Sequence, residues 1–179
     1  MAAPPSEPGN PPGFAHVGIT VPSLDDAIAW YRGVLGLEIL EGPTEVRAGD
    51  GHAGRMASDV FGPCFASMRQ AHLSTANGVA LELFEFTEPS TERLTNRFVY
   101  WRVGPSHLCL VERDLERLVQ RIRRRGGRQR TAVWDIRPGE PYRMCFCEDP
   151  FGTIVELYSH SHEQTYARRD LRASSIPGT

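Results

Sequence analysis

Two histidines and two glutamates recur in this sequence at positions suited to metal chemistry. His16 opens the run His16-Val17-Gly18-Ile19-Thr20-Val21, and His107 opens His107-Leu108-Cys109-Leu110-Val111, an offset of 91 residues. The runs Gly78-Val79-Ala80-Leu81-Glu82-Leu83-Phe84 and Gly152-Thr153-Ile154-Val155-Glu156-Leu157-Tyr158 share one pattern: Gly, three residues, Glu, Leu, aromatic. Neutral imidazole nitrogen and carboxylate oxygen together suit one divalent ion, Zn, Ni, Mn, Co or Fe(II). Four protein ligands, His16, Glu82, His107 and Glu156, leave one or two octahedral positions for water or substrate. The competing reading makes each histidine an ordinary polar residue and pairs each glutamate with an arginine such as Arg69 or Arg143.

Other candidates carry less pattern. His72 is in phase with Met68 and Gln70, to face the same side as the glutamates or its rim, as a supporting or a packed residue. His160 and His162 form an HxH that reads as a solvated strand end. Arg121, Arg123, Arg124, Arg125, Arg128 and Arg130 suit phosphates or carboxylates, but basic residues are favourable at a helix C-terminus in any case. Cys109, Cys145 and Cys147 read as small core or cavity-lining residues. Phe84, Tyr158 and Trp101 are candidates to wall an apolar pocket.

The four candidates are useful only if strands position them. Residues 16–21 alternate, with Val17, Ile19 and Val21 on one face and His16 on the other. Ser23, followed by Asp25 and Asp26, starts a helix whose apolar positions Leu24, Ala27, Ile28, Tyr31, Val34 and Leu35 repeat at three and four, and Gly36 ends it. A strand follows at 37–41, then a long connection over 42–64 that suits an active-site lid or a tolerated insertion. Strands at 65–74 and 79–86 are joined by Asn77-Gly78, a hairpin signal. The order then repeats: strand 107–111, a helix capped by Asp114 and ended at Gly126-Gly127, and strands over 128–134, 142–148 and 153–159. In the closing strands Leu81, Leu83, Val155 and Leu157 face the helices, which leaves Glu82 and Glu156 on the opposite face with His16 and His107. The expectation is four ionisable residues on one concave surface.

The chain of 179 residues suits one domain or two small halves. The expected divisions are a proline-rich tail 1–13, a first βαβββ module 14–88, a linker 89–105, a second module 106–160 and an extension 161–179. A formal net charge of -2 lacks the footprint of a nucleic-acid binder. No apolar run approaches the roughly 18 residues that would span a bilayer. The start has neither a basic nor an apolar leader region, and the four cysteines form no metal or disulfide framework, so the expected place is the cytoplasm, with reduced thiols.

The motifs HVGITVPSLDDAIAWYRGVLGLEIL, GVALELFEF, SHLCLVERDLERLVQRI and CEDPFGTIVELYSH resemble the vicinal oxygen chelate superfamily, which includes glyoxalase I, methylmalonyl-CoA epimerase, extradiol dioxygenases and the bleomycin and fosfomycin resistance proteins. The resemblance covers most of residues 14–160. It implies an α+β fold of two paired βαβββ modules whose curled sheets make a metal cup, and a homodimer. It also implies His16 and Glu82 as ligands from the first module and His107 and Glu156 from the second; Glu85, a rival to Glu82, lies in phase with Leu81 and Leu83.

That resemblance implies bidentate chelation of a small substrate with adjacent oxygens, without nucleic acid or membrane. The expected activity is isomerisation or epimerisation next to a carbonyl through a metal-stabilised enediolate, or a glyoxalase-type lyase reaction, with sugar-like cyclitol ketones within the substrate range. Because the bases of glyoxalase I are metal-site glutamates, Glu156 is nominated first and Glu82 second. The alternatives are an Fe(II) extradiol dioxygenase, which uses two histidines and one glutamate, and a non-catalytic antibiotic or ligand binder.

Overall fold

The computed structural model of this chain describes residues 12–93 and 99–167. The proline-rich tail up to residue 11, linker residues 94–98 and the extension from residue 168 lie outside the described residues. The chain divides into two compact units, Met1–Arg93 and Leu94–Thr179, each with its own sheet.

The first unit runs β1 (His16–Thr20), α1 (Leu24–Trp30), β2 (Glu38–Arg47), α2 (Gly51–Phe61), β3 (Ser67–Ser74) and β4 (Ala80–Glu88). Ser23 caps α1 through its hydroxyl, which accepts from the Asp26 amide. The helix continues as a π-helical turn, Tyr31–Leu35, and stops at Gly36, whose φ of 75° lies in the left-handed region that favours glycine. The sheet order is β1-β4-β3-β2, with β1 parallel to β4 and the other neighbours antiparallel. Leu81 and Leu83 are buried, as are Leu24, Ala27, Ile28 and Tyr31 of the helical segment. Each large apolar side chain buried in this way stabilises the fold by about 1.5–3 kcal/mol.

The segment 42–64 is not the long connection expected from its glycines and prolines. Strand β2 continues through it to Arg47, paired with β3 from Glu38↔Ser74 to Arg47↔Ser67, with register shifts around Glu41 and Thr44. Gly42 permits this: its φ is 90°, and a Cβ there would lie 2.6 Å from the Gln70 carbonyl oxygen. Helix α2 follows, closely packed because Gly54 has no side chain to strike the Arg47 carbonyl. The helix covers one end of the sheet face that carries Glu82. Val46, Ala57, Phe65 and Met68 are buried there, with Phe61, Phe84 and Phe86 packed against them. Phe61 of α2 meets the rings of Phe84 and Phe86 edge-on at 5.7 and 5.1 Å. Phe61→Ala is expected to cost about 2–3 kcal/mol, read by urea denaturation, since three aromatic neighbours lose one partner.

The second unit repeats the plan: β5 (Leu108–Val111), α3 (Leu115–Arg124), β6 (Arg128–Gln129), β7 (Trp134–Asp135), β8 (Arg143–Glu148), β9 (Ile154–Tyr158) and α4 (His162–Tyr166). Its sheet order is β5-β9-β8-β6, with β7 also pairing β8. Asp114 caps α3, and Leu115, Leu118, Val119, Ile122, Val155 and Leu157 are buried.

Two expectations change here. The strand at 128–134 is two short strands, because the Arg130 and Thr131 amides both donate to the Phe146 carbonyl while the Thr131 hydroxyl accepts from the Phe146 amide. That side chain takes over the ladder and interrupts it. The run after β9 is not a solvated strand end: Ser161 and Gln164 form a capping box that starts α4. No helix among the described residues is long and apolar enough to cross a membrane.

Candidate metal and active site

In the first unit, β1 and β4 run parallel with Gly18 beside Glu82. Gly18 contributes no side chain there, and a Cβ would meet the Phe84 ring at 3.1 Å. The Glu82 carboxylate is therefore open to the histidine at the start of β1. His16 Nε2 lies 3.3 Å from Glu82 Oε2. From the other side, β3 pairs His72 directly opposite Glu82, and His72 Nε2 lies 3.7 Å from Oε1.

The second unit builds the same pair. His107 Nε2 lies 3.0 Å from Glu156 Oε2, and the Glu156 side chain is only 9% exposed. Cys109 stands beside Glu156 across the parallel β5/β9 pair, and Phe146 stands opposite it on β8. The His107 ring meets the Phe146 ring edge-on at 5.3 Å.

Among the described residues neither glutamate is paired with an arginine. The chain has no lysine, and only five of its 20 arginines fall within residues 1–93, against 12 acidic residues. Arg69 is committed to Asp25, at 2.9 and 3.0 Å, and to Glu85 at 3.2 Å. Glu85 also accepts from the Leu24 amide at 2.9 Å, at the helix N-terminus where a carboxylate is favourable. In the second unit, Arg143 at the position matching Arg69 forms a two-pronged pair with Glu116. Arg128 and Arg130 both pair with Glu148. The arginines hold helices and strand ends, and Glu82 and Glu156 face imidazoles.

These pairs fit a divalent cation. Two adjacent ligands bound at about 2.1 Å lie about 3.0–3.4 Å apart in octahedral or tetrahedral geometry. The observed separations are 3.3 and 3.0 Å. Without a cation each pair is an imidazole–carboxylate contact within ion-pair distance. Among the described residues no three His, Cys, Asp or Glu side chains are gathered around one point.

Cys109 is a neighbour of the second pair. Burial, and then the Glu156 carboxylate beside it, push its thiol up to about 12. It stays S–H at neutral pH and interacts with Glu156 in that form. Cys64 and Cys109 are both exposed, but the raised Cys109 thiol is expected to react with iodoacetamide at pH 8 more slowly than Cys64, read by mass spectrometry of the peptides. Cys145 and Cys147 are buried free thiols.

The other nominated residues are placed elsewhere. His160 packs on Tyr142 with its Nδ1 2.9 Å from the Ser159 hydroxyl, and His162 stacks with Tyr158 and Tyr166. The HxH pair therefore serves the aromatic packing around α4. Trp101 is almost fully exposed. Its neighbour Tyr100 packs instead on Phe146 at 5.9 Å, beneath the Arg130 guanidinium. Tyr100 and Phe146 carried no pattern in the sequence. Phe146 becomes visible only once the β8/β9 register sets it opposite Glu156.

Comparisons with known proteins agree with this architecture. The sequence model of the Glyoxalase/Bleomycin resistance protein/Dioxygenase superfamily matches residues 13–157. A 2-epi-5-epi-valiolone epimerase from Actinomyces sp. is 30% identical over 112 residues, 63% of this chain and 58% of its own length. The chain thus spans less than two thirds of that relative. A glyoxalase family protein from Bacillus cereus superposes with a TM-score of 0.66 at 22% identity, covering 87% of this chain and 97% of its own. A mutant of the fosfomycin resistance protein FosX from Listeria monocytogenes, complexed with Mn(II) and 1S,2S-dihydroxypropylphosphonic acid, gives 0.56 at 16% identity over 85% and 93%. With the repeated modules, the paired histidine and glutamate in each and a family match over most of its length, this chain belongs to the glyoxalase/bleomycin resistance protein/dioxygenase superfamily.

Proposed function

We propose that this protein is a divalent-metal-dependent epimerase acting at the carbon next to a carbonyl, on a small polyhydroxylated ketone of the cyclitol type. The protein ligands in this reading are His16, Glu82, His107 and Glu156. The observation that carries it is the repeated pair: in each unit an imidazole faces a carboxylate at ligand spacing, and no arginine among the described residues neutralises that carboxylate. The substrate class comes from the valiolone epimerase relative.

A bound cation would supply Lewis acidity, stabilising negative charge at the substrate's carbonyl oxygen. The remaining work falls to side chains. Glu156 is enclosed by Phe146, Cys109 and His107, so it is shielded from water and positioned to take the proton from the adjacent carbon. Glu82, the matching residue, is assigned the return of a proton to the other face; it takes that proton from solvent before each turnover, and Glu156 afterwards gives the proton it has taken to solvent. Two carboxylates also separate this reading from the extradiol dioxygenase arrangement of two histidines and one carboxylate.

The test is to purify the protein without an affinity metal, measure its metal content, strip it, and reload it with Mn, Co, Ni, Zn or Fe(II). NMR in deuterium oxide then follows 2-epi-5-epi-valiolone. Epimerisation with label entering next to the carbonyl, dependent on one of these metals, is the expected result. No metal binding and no label with any ion would overturn the reading.

A further inference from the structure

The two units match at the histidine and glutamate and differ around them. The residue opposite the glutamate is His72 in the first unit and Phe146 in the second. The residue alongside, on the parallel strand, is Gly18 in the first and Cys109 in the second. The carboxylates are consequently held in different ways. Glu156 has His107 on Oε2 and the Cys109 thiol beside it, in a nearly closed setting. Glu82 is more open, has only glycine alongside, and is bracketed by two imidazoles, His16 at Oε2 and His72 at Oε1.

Resting on the metal reading above, we propose that His72 is a positioning residue for Glu82: its Nε2–H holds Oε1, so that Oε2 is the oxygen presented with His16 to the cation. Glu82 needs such a partner. A glutamate has three side-chain torsions to fix, and Gly18 offers no wall against which this carboxylate can rest. His72 is itself placed by the β3/β4 register, is about 30% exposed, and has Glu82 as its polar neighbour. At 3.7 Å the contact is longer than a hydrogen bond, and the proposal requires it to shorten to about 2.9 Å when Oε2 is drawn to a cation. Partners that orient a metal ligand in this way are worth about 10–100-fold in metal affinity. In the second unit, the buried setting of Glu156 makes such a partner unnecessary, and an apolar ring occupies the place.

The experiment measures Co(II) affinity of the full chain by chelator competition, with the visible spectrum of the Co(II) form as a second readout. His72→Phe installs the residue of the other unit. It is expected to bind Co(II) about 10–100-fold more weakly, with an altered spectrum and an unchanged unfolding midpoint of the metal-free protein. His72→Gln, which keeps a side-chain N–H, is expected to recover most of the affinity. Affinity of His72→Phe within twofold of wild type, while His16→Ala binds weakly, would sink the positioning role alone. Equal loss in His72→Phe and His72→Gln would also sink it, by showing that packing and not the N–H matters. Absence of Co(II) binding by the wild type would overturn both this inference and the metal reading.

Discussion

Glu156→Gln is expected to abolish uptake of deuterium next to the substrate carbonyl, with the rate falling by about 10²–10⁴-fold. The size of the effect follows from the surroundings of the carboxylate. Its side chain is 9% exposed, the Phe146 ring stands opposite, and its polar neighbours are His107 and Cys109. None of these can replace it as a proton acceptor at neutral pH: in this reading His107 spends its nitrogen on the cation, and the Cys109 thiol stays protonated. Glutamine keeps the shape and one ligand oxygen but cannot accept the proton. Metal content should therefore survive in the variant while exchange is lost, which separates a base from a ligand. Label uptake at the wild-type rate in a metal-loaded Glu156→Gln protein would remove Glu156 from the proton transfer.

The placement of Glu156 beside His107 was legible in the sequence because a strand alternates. Once Leu157 and Val155 face the helices, the glutamate between them must face the other way, and the same holds for Glu82 between Leu81 and Leu83. Glu85 shows the same rule from the other side: in phase with the leucines, it lies beneath α1 and binds the Leu24 amide. What the sequence concealed depended on features that period does not record. Helix α2 was hidden by Gly49, Gly51, Gly54 and Gly62, which read as loop punctuation although Gly54 is a packing requirement against the Arg47 carbonyl. The break between β6 and β7 depends on one threonine hydroxyl competing for a ladder amide. Tyr100 lies in a stretch with no period at all. Phe146 and His72 were visible as residues, but their relation as counterparts opposite the two glutamates needed the pairing register.

Removing either histidine is expected to strip the metal, yet the two losses should differ in the metal-free protein. His16→Ala and His107→Ala each delete a directly coordinating nitrogen, so each should weaken metal binding by more than the roughly 10–100-fold associated with supporting partners. Metal analysis after dialysis should find no stoichiometric ion in either variant. The difference lies in the carboxylate left behind. The His16 side chain is 55% exposed and Glu82 remains reachable by water and by His72, so His16→Ala should unfold at nearly the wild-type urea concentration. Glu156 is nearly enclosed, and His107 at 3.0 Å is its closest polar partner in the second unit. Its loss leaves a buried carboxylate without that partner, at a cost of about 1–3 kcal/mol. Urea denaturation of metal-free wild type, His16→Ala and His107→Ala at neutral pH checks this. A deficit shared equally by both variants would show that the two carboxylates are not held in the different environments on which the assignment of proton removal to Glu156 rests.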